Sequence, residues 1–284
     1  MHRFKNRLNK KHLMMCTVLF LAVIQPALAE TDTLEITELD LVGLYNPLGL
    51  SVSVKSYQRR VYRHDPLPLW DGLYYQLGGQ ALVTPAFSRA GVHAEWLPIA
   101  ILKLRAQIDR LYFSGAFGSL LTFNTANESF DDDVIENREG EERSGYGNRS
   151  SFQITLQTKH QHFIVRNITE QVHYQFPGSG PYYLERENEL LLARSDSVLS
   201  NQIYVLYETK TPAYQRMIGP YHSYVSVDKS GNKSERLGLT WYQQFNKKMA
   251  TLNNARWYLQ AGKYLQEPNR KDEVYLLLGI GGDF

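Results

Sequence analysis

The chain ends on the stretch EVYLLLGIGGDF, residues 273–284. Its alternate positions Val274, Leu276, Leu278 and Ile280 are apolar, and its last residue is the aromatic Phe284. Because successive side chains of a β-strand point to opposite faces, this alternation predicts a strand with one apolar face. The intervening positions are largely small or polar, so the two faces of this strand meet different surroundings.

The same alternation is clearest in three upstream segments, 73–84, 87–96 and 102–109. One face of each segment is apolar or small. The opposite faces of the second and third segments carry charged or titratable side chains: Arg89, His93, Glu95, Lys103, Arg105 and Asp109. Charge at this density is too costly to bury in a dry sandwich core, so we expect these side chains to line a wet interior.

Turn residues divide the chain into segments long enough for tilted strands to cross a bilayer. With the closing stretch the predicted count is about twelve, and ten to fourteen are allowed. The other segments are 48–62, 73–84, 87–96, 102–109, 151–160, 162–175, 182–192, 198–208, 217–227, 236–245 and 256–265. Residues 30–47 are acidic and alternate loosely, so a first strand, a periplasmic segment and a plug all remain open for them.

The N-terminus predicts export. A basic segment, an apolar stretch over 13–24 and the sequence Ala27-Leu28-Ala29 follow one another, which is the order of a secretory signal peptide cleaved after Ala29. Cys16 is the one cysteine and lies inside this peptide, so the mature chain is expected to lack disulfides and thiolate metal sites. Cleavage leaves 26 Lys/Arg against 29 Asp/Glu, a net charge of −3, so nucleic-acid binding loses its main support.

The signal peptide, the alternating spans, the long polar loops and the terminal Phe284 together resemble a proteobacterial outer-membrane β-barrel. The resemblance implies an antiparallel transmembrane barrel over residues 48–284, in the outer membrane of a Gram-negative cell. It also implies that Phe284 is the tag read by the barrel-assembly machinery. No catalytic or binding residue is carried over from this resemblance.

Loop lengths test the strand count. Barrels of this kind place short turns in the periplasm and long loops outside. Counting back from Phe284 through the predicted strands puts the longest loop, 115–149, on the periplasmic side. One strand assignment is therefore in error, either in the N-terminal segment, in a short strand near 117–123, or in one of the less regular strands.

Aromatic side chains cluster near the predicted strand ends. Trp96, Trp241, Trp257 and Phe284 are expected to anchor the barrel at the membrane interface, where amphipathic rings are most stable. The expected partners are therefore outer-membrane lipid and lipopolysaccharide, with small solutes as further candidates and no nucleic acid. No cofactor is expected.

The charged inner face predicts a small channel or transport barrel, because opposite charges across a narrow lumen can filter solutes. The alternative is a structural or surface-interaction barrel whose lumen is closed and which acts through its long acidic loop. That loop holds Asp131, Asp132 and Asp133, which are weak candidates for a divalent cation; a solvated surface loop is the ordinary interpretation.

Enzyme chemistry is not expected, although a barrel-embedded lipid hydrolase is a third, less favoured hypothesis. The adjacent residues His222 and Ser223 face opposite sides of a strand, so they cannot form a nucleophile–base pair with each other. A hydrolase would require a serine and a histidine brought together on neighbouring strands.

Overall fold

A computed structural model describes residues 32–249 and 251–284, and the predicted signal peptide lies outside them. The strands are β1 Asp32–Tyr45, β2 Gly49–Arg63, β3 Leu73–Val83, β4 Phe87–Ile99, β5 Leu102–Ser114, β6 Thr122–Phe123, β7 Ser144–His160, β8 Phe163–Gln175, β9 Tyr182–Glu185, β10 Leu190–Ala193, β11 Ser195–Lys210, β12 Tyr214–Val227, β13 Lys233–Phe245, β14 Asn253–Gln266 and β15 Val274–Asp283. One short helix, α1, is Asp132–Asn137.

Twelve strands form a closed antiparallel barrel. The barrel closes where the first strand β1 pairs with the last strand β15, with Leu41 opposite Ile280. The predicted fold class, an all-β barrel of about twelve strands, is confirmed. Within the described residues no helix has the length and apolar character needed to span a membrane.

Two strand assignments change, and their effects on the count cancel. The predicted wall strand 182–192 is wrong, because these residues form the hairpin β9–β10, which joins β6 in a separate three-stranded sheet. Residues Asp32–Tyr45, whose role the sequence left open, form the wall strand β1. The acidic residues Glu38 and Asp40 of β1 fit this position, since both lie near Arg256 of β14, at 3.5 and 3.0 Å.

The same change corrects the predicted loop sidedness. With one strand fewer between the long loop and Phe284, loops 115–143 and 176–194 both leave the barrel at the end opposite Phe284. The tight turns 100–101 and 161–162 lie at the Phe284 end. Since long loops face outward in outer-membrane barrels, we infer that the end that carries Phe284 is the periplasmic end.

The outward faces of seven consecutive strands, from β14 through β15 and β1 to β5, form an apolar belt. Exposed members of this belt include Leu50, Leu77, Val92, Ile108, Leu278 and Ile280. Near the periplasmic end, Trp241 and Trp257 pack together with ring centroids 5.1 Å apart, and Trp96 and Phe284 lie at the same end. The anchoring role of these four residues stays a prediction. The architecture is that of an outer-membrane β-barrel.

The extracellular end is covered by a folded cap, which we define as residues 115–143 and 176–194. The cap has its own apolar core of fully buried side chains: Leu121, Phe123, Phe130, Leu184 and Leu191. A second cluster joins cap residues such as Leu190 and Phe176 to inward-facing wall residues such as Phe113 and Val198. The cap therefore packs onto the inner wall and is part of the folded barrel.

Candidate functional site

The six predicted lumen residues all lie on the inner faces of β4 and β5, where they form ion pairs and hydrogen bonds or pack against aromatic rings. Glu95 accepts a hydrogen bond from the Tyr74 hydroxyl at 2.7 Å and lies 3.6 Å from Lys103 and 3.8 Å from Arg105. His93 is buried and packs edge-on against Tyr57. This part of the inner wall is a network of opposite charges.

The partners of the other predicted residues come from distant strands and from the cap. Asp109 accepts a hydrogen bond from Arg149 of β7 at 3.2 Å. Arg149 also donates to Glu170 of β8 at 2.9 Å. Arg89 donates to both carboxylate oxygens of Glu187, which lies at the tip of the cap hairpin β9–β10. The sequence did not identify Arg149, Glu170 or Glu187, because their pairing depends on strand order.

The cap packs into the extracellular mouth of the lumen. Leu190 and Leu192 of the hairpin are fully buried, and burial of each leucine contributes about 1.5–3 kcal/mol. The cavity between Phe87, Tyr174 and Glu185 beneath the cap is about 10 Å³, which is about the space of one water molecule. Side chains of the cap hairpin and of the inner wall therefore pack together at this end of the lumen.

Polar contacts hold the cap on two further sides. Asn232, in the turn between β12 and β13, donates to the backbone oxygens of Ala126 and Leu191, both at 3.2 Å. Arg270, between β14 and β15, donates to Asp132 of α1 at 2.8 Å and to Asn46 at 2.8 Å. The cap is therefore attached to the β12–β13 and β14–β15 connections as well as to the inner wall.

Three glutamates of the cap hairpin differ in acidity. Burial raises the pKa of Glu185 to about 7, and the neighbouring carboxylate of Glu187 adds to this shift. Burial also raises the pKa of Glu189 to about 7, against the opposing effect of Arg186. Burial opposes ionisation of Glu187 as well, but the adjacent guanidinium of Arg89 helps to hold the pKa of Glu187 below its usual range.

The acidic loop uses its aspartates in structural contacts. Asp131 caps α1 by accepting from the Val134 backbone N–H at 2.9 Å, and Asp132 pairs with Arg270 at 2.8 Å. Among residues 32–249 and 251–284 no group of three or more His, Cys, Asp or Glu is placed to hold a metal ion. The structure therefore gives the weak candidates Asp131, Asp132 and Asp133 no common site.

On the other side of the barrel the outer wall mixes exposed apolar side chains, such as Phe152, Ile154 and Leu199, with polar ones. Midway along β8 and β11, the outward-facing Asn167, Thr169 and Asn201 form a hydrogen-bonded triad with contacts of 2.7–3.2 Å. Gln171, His173 and Gln175 continue on the same face of β8 towards the extracellular rim. We call these six residues the polar column. Polar side chains that face lipid are costly and mark functional surfaces.

Two serines meet His173 near the top of this column. Ser197 of β11 lies directly opposite His173 in the strand register, and its hydroxyl is 3.2 Å from Nδ1. The Ser195 hydroxyl is 3.4 Å from Nε2. Sequence reasoning missed this cluster because 22 residues and the cap hairpin separate His173 from Ser195, and no short motif connects them.

A groove of about 640 Å³ opens at the extracellular rim directly above His173. Strands β7, β8 and β11 and the adjoining cap form it, and its lining consists of Tyr146, Asn148, Gln175, Phe176, Gly180, Pro181, Ala193, Arg194, Ser195 and Lys229. These ten described residues include two cations and no Asp or Glu. Arg110 adds a third cation beside the groove, where it donates to Asn148 at 2.7 Å.

The structure separates His222 from Ser223, as the strand alternation predicts. His222 faces outward and lies 2.7 Å from Glu235 of β13, whereas Ser223 faces the lumen and is buried. The Ser–His contacts at His173 are instead made across strands. The hydrolase hypothesis requires such a serine and histidine on neighbouring strands.

Comparison with protein-family models gives no match, and comparison with curated proteins gives none either. Among solved structures, LpxR from Salmonella typhimurium is similar at a TM-score of 0.45 and 9% identity, over 88% of this chain and 100% of that one. The β domain of the Bordetella autotransporter BrkA gives 0.43 and 9%, over 89% and 99%. The NanC porin gives 0.43 and 7%, over 87% and 98%. No activity passes from these proteins to this chain.

Proposed function

We propose that this barrel works on its outer wall and binds the anionic headgroup of an outer-leaflet lipid in the rim groove. One observation carries the proposal: the polar column runs from the middle of the wall up to a cationic groove, on one side of the barrel. An outward-facing polar surface at this depth meets lipid and cannot contact solutes in the lumen.

The charges of the groove set the class of ligand. Arg194 and Lys229 line it and Arg110 lies beside it, while the ten lining residues include no carboxylate. Arginine and lysine bind phosphate through charge-assisted hydrogen bonds. A phosphate-bearing lipid, of which lipopolysaccharide is the surface form in Gram-negative bacteria, therefore suits the groove better than a zwitterionic one.

The neutral polar groups below suit the next part of such a lipid. Asn148 and Gln175 in the groove and Gln171 beneath it carry amide groups that both donate and accept hydrogen bonds. Ester and amide carbonyls link a phosphorylated headgroup to its acyl chains and accept such bonds. The order of cations above and amides below therefore follows the order of groups along the lipid.

Binding of lipopolysaccharide to the mature protein in detergent micelles tests this proposal. We expect Arg194→Ala combined with Lys229→Ala to weaken binding at least tenfold, and Lys271→Ala, at an exposed lysine between β14 and β15, to leave it unchanged. Inorganic phosphate is the competitor that separates a lipid site from a free-phosphate site. Unchanged binding by the double variant, or full displacement by millimolar phosphate, would overturn the proposal.

A channel is the second candidate, favoured by the charged inner wall. In the periplasmic half of the lumen Lys103 and Arg105 stay partly accessible and face Glu95. Conduction requires the cap to move, because the cap fills the mouth. Steady ion conductance of the intact protein in planar bilayers would support this candidate against the closed barrel.

A further inference from the structure

We propose that Ser195 and His173 form a nucleophile–base pair that hydrolyses an acyl ester of the lipid held in the rim groove, with Ser197 as the positioning residue. The inference rests on the proposed lipid site, because that site would supply the substrate. The Ser195–His173 pair would add catalysis to a surface that otherwise only binds lipid.

Strand register brings the three residues together. Ser197 of β11 is paired with His173 of β8, and Ser195 lies two residues nearer the rim on the same face. On the other side of His173, Ser150 of β7 is its register partner. The backbone thus places the imidazole between hydroxyl-bearing residues, all of which point away from the lumen.

The distances assign roles to the two nitrogens. Ser197 Oγ lies 3.2 Å from Nδ1, so an Nδ1–H that donates to this hydroxyl leaves the lone pair on Nε2. Nε2 lies 3.4 Å from Ser195 Oγ, where it accepts the serine proton. Catalytic hydrogen bonds are often long before substrate binds, so this separation fits a resting site.

Ser195 is the serine that a lipid can reach. It lines the groove, and its backbone oxygen accepts a hydrogen bond from the Lys229 ammonium group. Asp196, which is buried, holds the turn around it by accepting from the backbone N–H groups of Ala193, Ser197 and Lys229 at 2.8–2.9 Å. Ser195 is therefore fixed in the groove with a cation beside it.

The reaction is a two-step acyl transfer to water. Ser195 Oγ attacks the ester carbonyl while His173 Nε2 takes its proton, and the C–O bond to the leaving alcohol breaks as His173 returns that proton to the alcohol oxygen. Water, deprotonated by His173, then attacks the acyl-serine and releases the fatty acid and free Ser195. Lys229 stabilises the negative oxygen of each tetrahedral intermediate.

The orienting group sets the expected rate. In this site a neutral hydroxyl, Ser197, fixes the imidazole where a carboxylate would also stabilise its charged form. We therefore expect slow turnover. Because Ser197 acts through His173, Ser197→Ala should lower kcat and leave KM unchanged, whereas Ser197→Thr, which keeps the hydroxyl, should retain most of the activity.

Two readouts on the full mature protein test the pair. The first is covalent labelling by a fluorophosphonate, located by peptide mass spectrometry; the second is fatty-acid release from lipopolysaccharide. Labelling at Ser195 is expected in the wild type. Ser195→Ala and His173→Asn should reduce both signals by about 100-fold or more. Ser226→Ala, on the outer face of β12, is the matched control and should leave both unchanged.

The outcomes separate the two proposals. If lipopolysaccharide binds but Ser195 is not labelled, or if Ser195→Ala releases fatty acid at the wild-type rate, the nucleophile–base pair is wrong and the lipid site stands. If Ser195 is labelled but lipopolysaccharide does not bind, the lipid site is wrong and the pair acts on another ester. The mobility shift of folded barrels on gels checks that each variant has folded.

Discussion

Glu187, at the tip of the cap hairpin, reaches into the lumen and accepts hydrogen bonds from the Arg89 guanidinium at 2.9 and 2.8 Å. Arg149 Nε lies 3.9 Å from the same carboxylate. Two wall strands, β4 and β7, thus hold one residue of a loop. This contact ties the tip of the cap hairpin to the inner wall.

Glu187→Gln should loosen the cap and leave the wall intact. The substitution removes the negative charge opposite Arg89 and Arg149, which costs about 2 kcal/mol for a hydrogen-bonded charge pair. Hydrogen exchange of peptides from 182–193 should speed up, while that of β4 and β7 should not change. Glu141→Gln, at an exposed pair with Arg138, is the control. Unchanged exchange in the hairpin would show that the pair does not hold the cap.

Replacing residues 182–193 with a short Gly-Ser linker should open the barrel. The hairpin supplies Leu190 and Leu192, which fill the mouth, and Glu187, which reaches Arg89. We expect no steady conductance from the intact protein in planar bilayers and clear single-channel steps from the shortened one. Equal conductance from both proteins would mean that the cap does not close the lumen.

The cap should become less stable as the pH rises from about 4.3 to about 7. The pKa values of Glu185 and Glu189 are about 7 in the folded cap, above the value near 4.3 of an unfolded chain. The folded cap therefore binds more protons than the unfolded one in this window, so stability falls with pH and levels off above it. The pKa of Glu187 is shifted downward, so its opposite effect lies at lower pH.

Hydrogen exchange of the cap at pH 5 and pH 8, corrected for the intrinsic rate, measures this effect. We expect protection to be weaker at pH 8 by roughly tenfold or more. Glu185→Gln combined with Glu189→Gln should remove most of the difference, because neither side chain can then ionise. A pH dependence that is unchanged in the double variant would assign it to other groups.

We expect the outward-facing triad Asn167, Thr169 and Asn201 to lower the stability of the barrel, because it places polar groups against lipid. Replacing Asn167 and Asn201 with leucine and Thr169 with valine removes all three partners at once and places apolar groups against lipid. Since no polar group of the triad is left unpaired, we expect stability to rise by about 1 kcal/mol and lipopolysaccharide binding to fall. Denaturant titration of the folded fraction measures the first effect. Lower stability would indicate that the triad serves the fold.

The wall strands could be predicted from the sequence where one face contacts lipid and the other faces the polar lumen. Residues 73–84 and 87–96 alternate cleanly because lipid lies on one side and a charged lumen on the other. The run Leu190–Leu192 has the composition of a wall strand, yet it fills the mouth, because burial in a cap selects the same residues as lipid does. Conversely, the sequence did not decide the role of the acidic β1, because Arg256, the ion-pair partner of Asp40, lies far away along the chain.

The cluster around His173 could not be predicted from the sequence for a related reason. The inner charges of β4 and β5 were predicted from alternation alone, but the outward position of His173 follows from strand order. Once 182–193 is recognised as a hairpin, β8 and β11 become neighbours and His173 faces Ser197. The β8–β11 register therefore connects the two residues. It can be derived from the sequence only when residues 182–193 are not counted as a wall strand.

Photo-crosslinking of a photoactivatable lipopolysaccharide to the reconstituted protein, with mass spectrometry to locate the crosslinked peptides, shows where on the barrel the lipid binds. We expect crosslinks concentrated on residues 146–148, 171–176 and 193–197, which unlabelled lipopolysaccharide should suppress. Crosslinks spread evenly around the barrel, with the apolar faces of β1 to β3 labelled as strongly as β8 and β11, would contradict it.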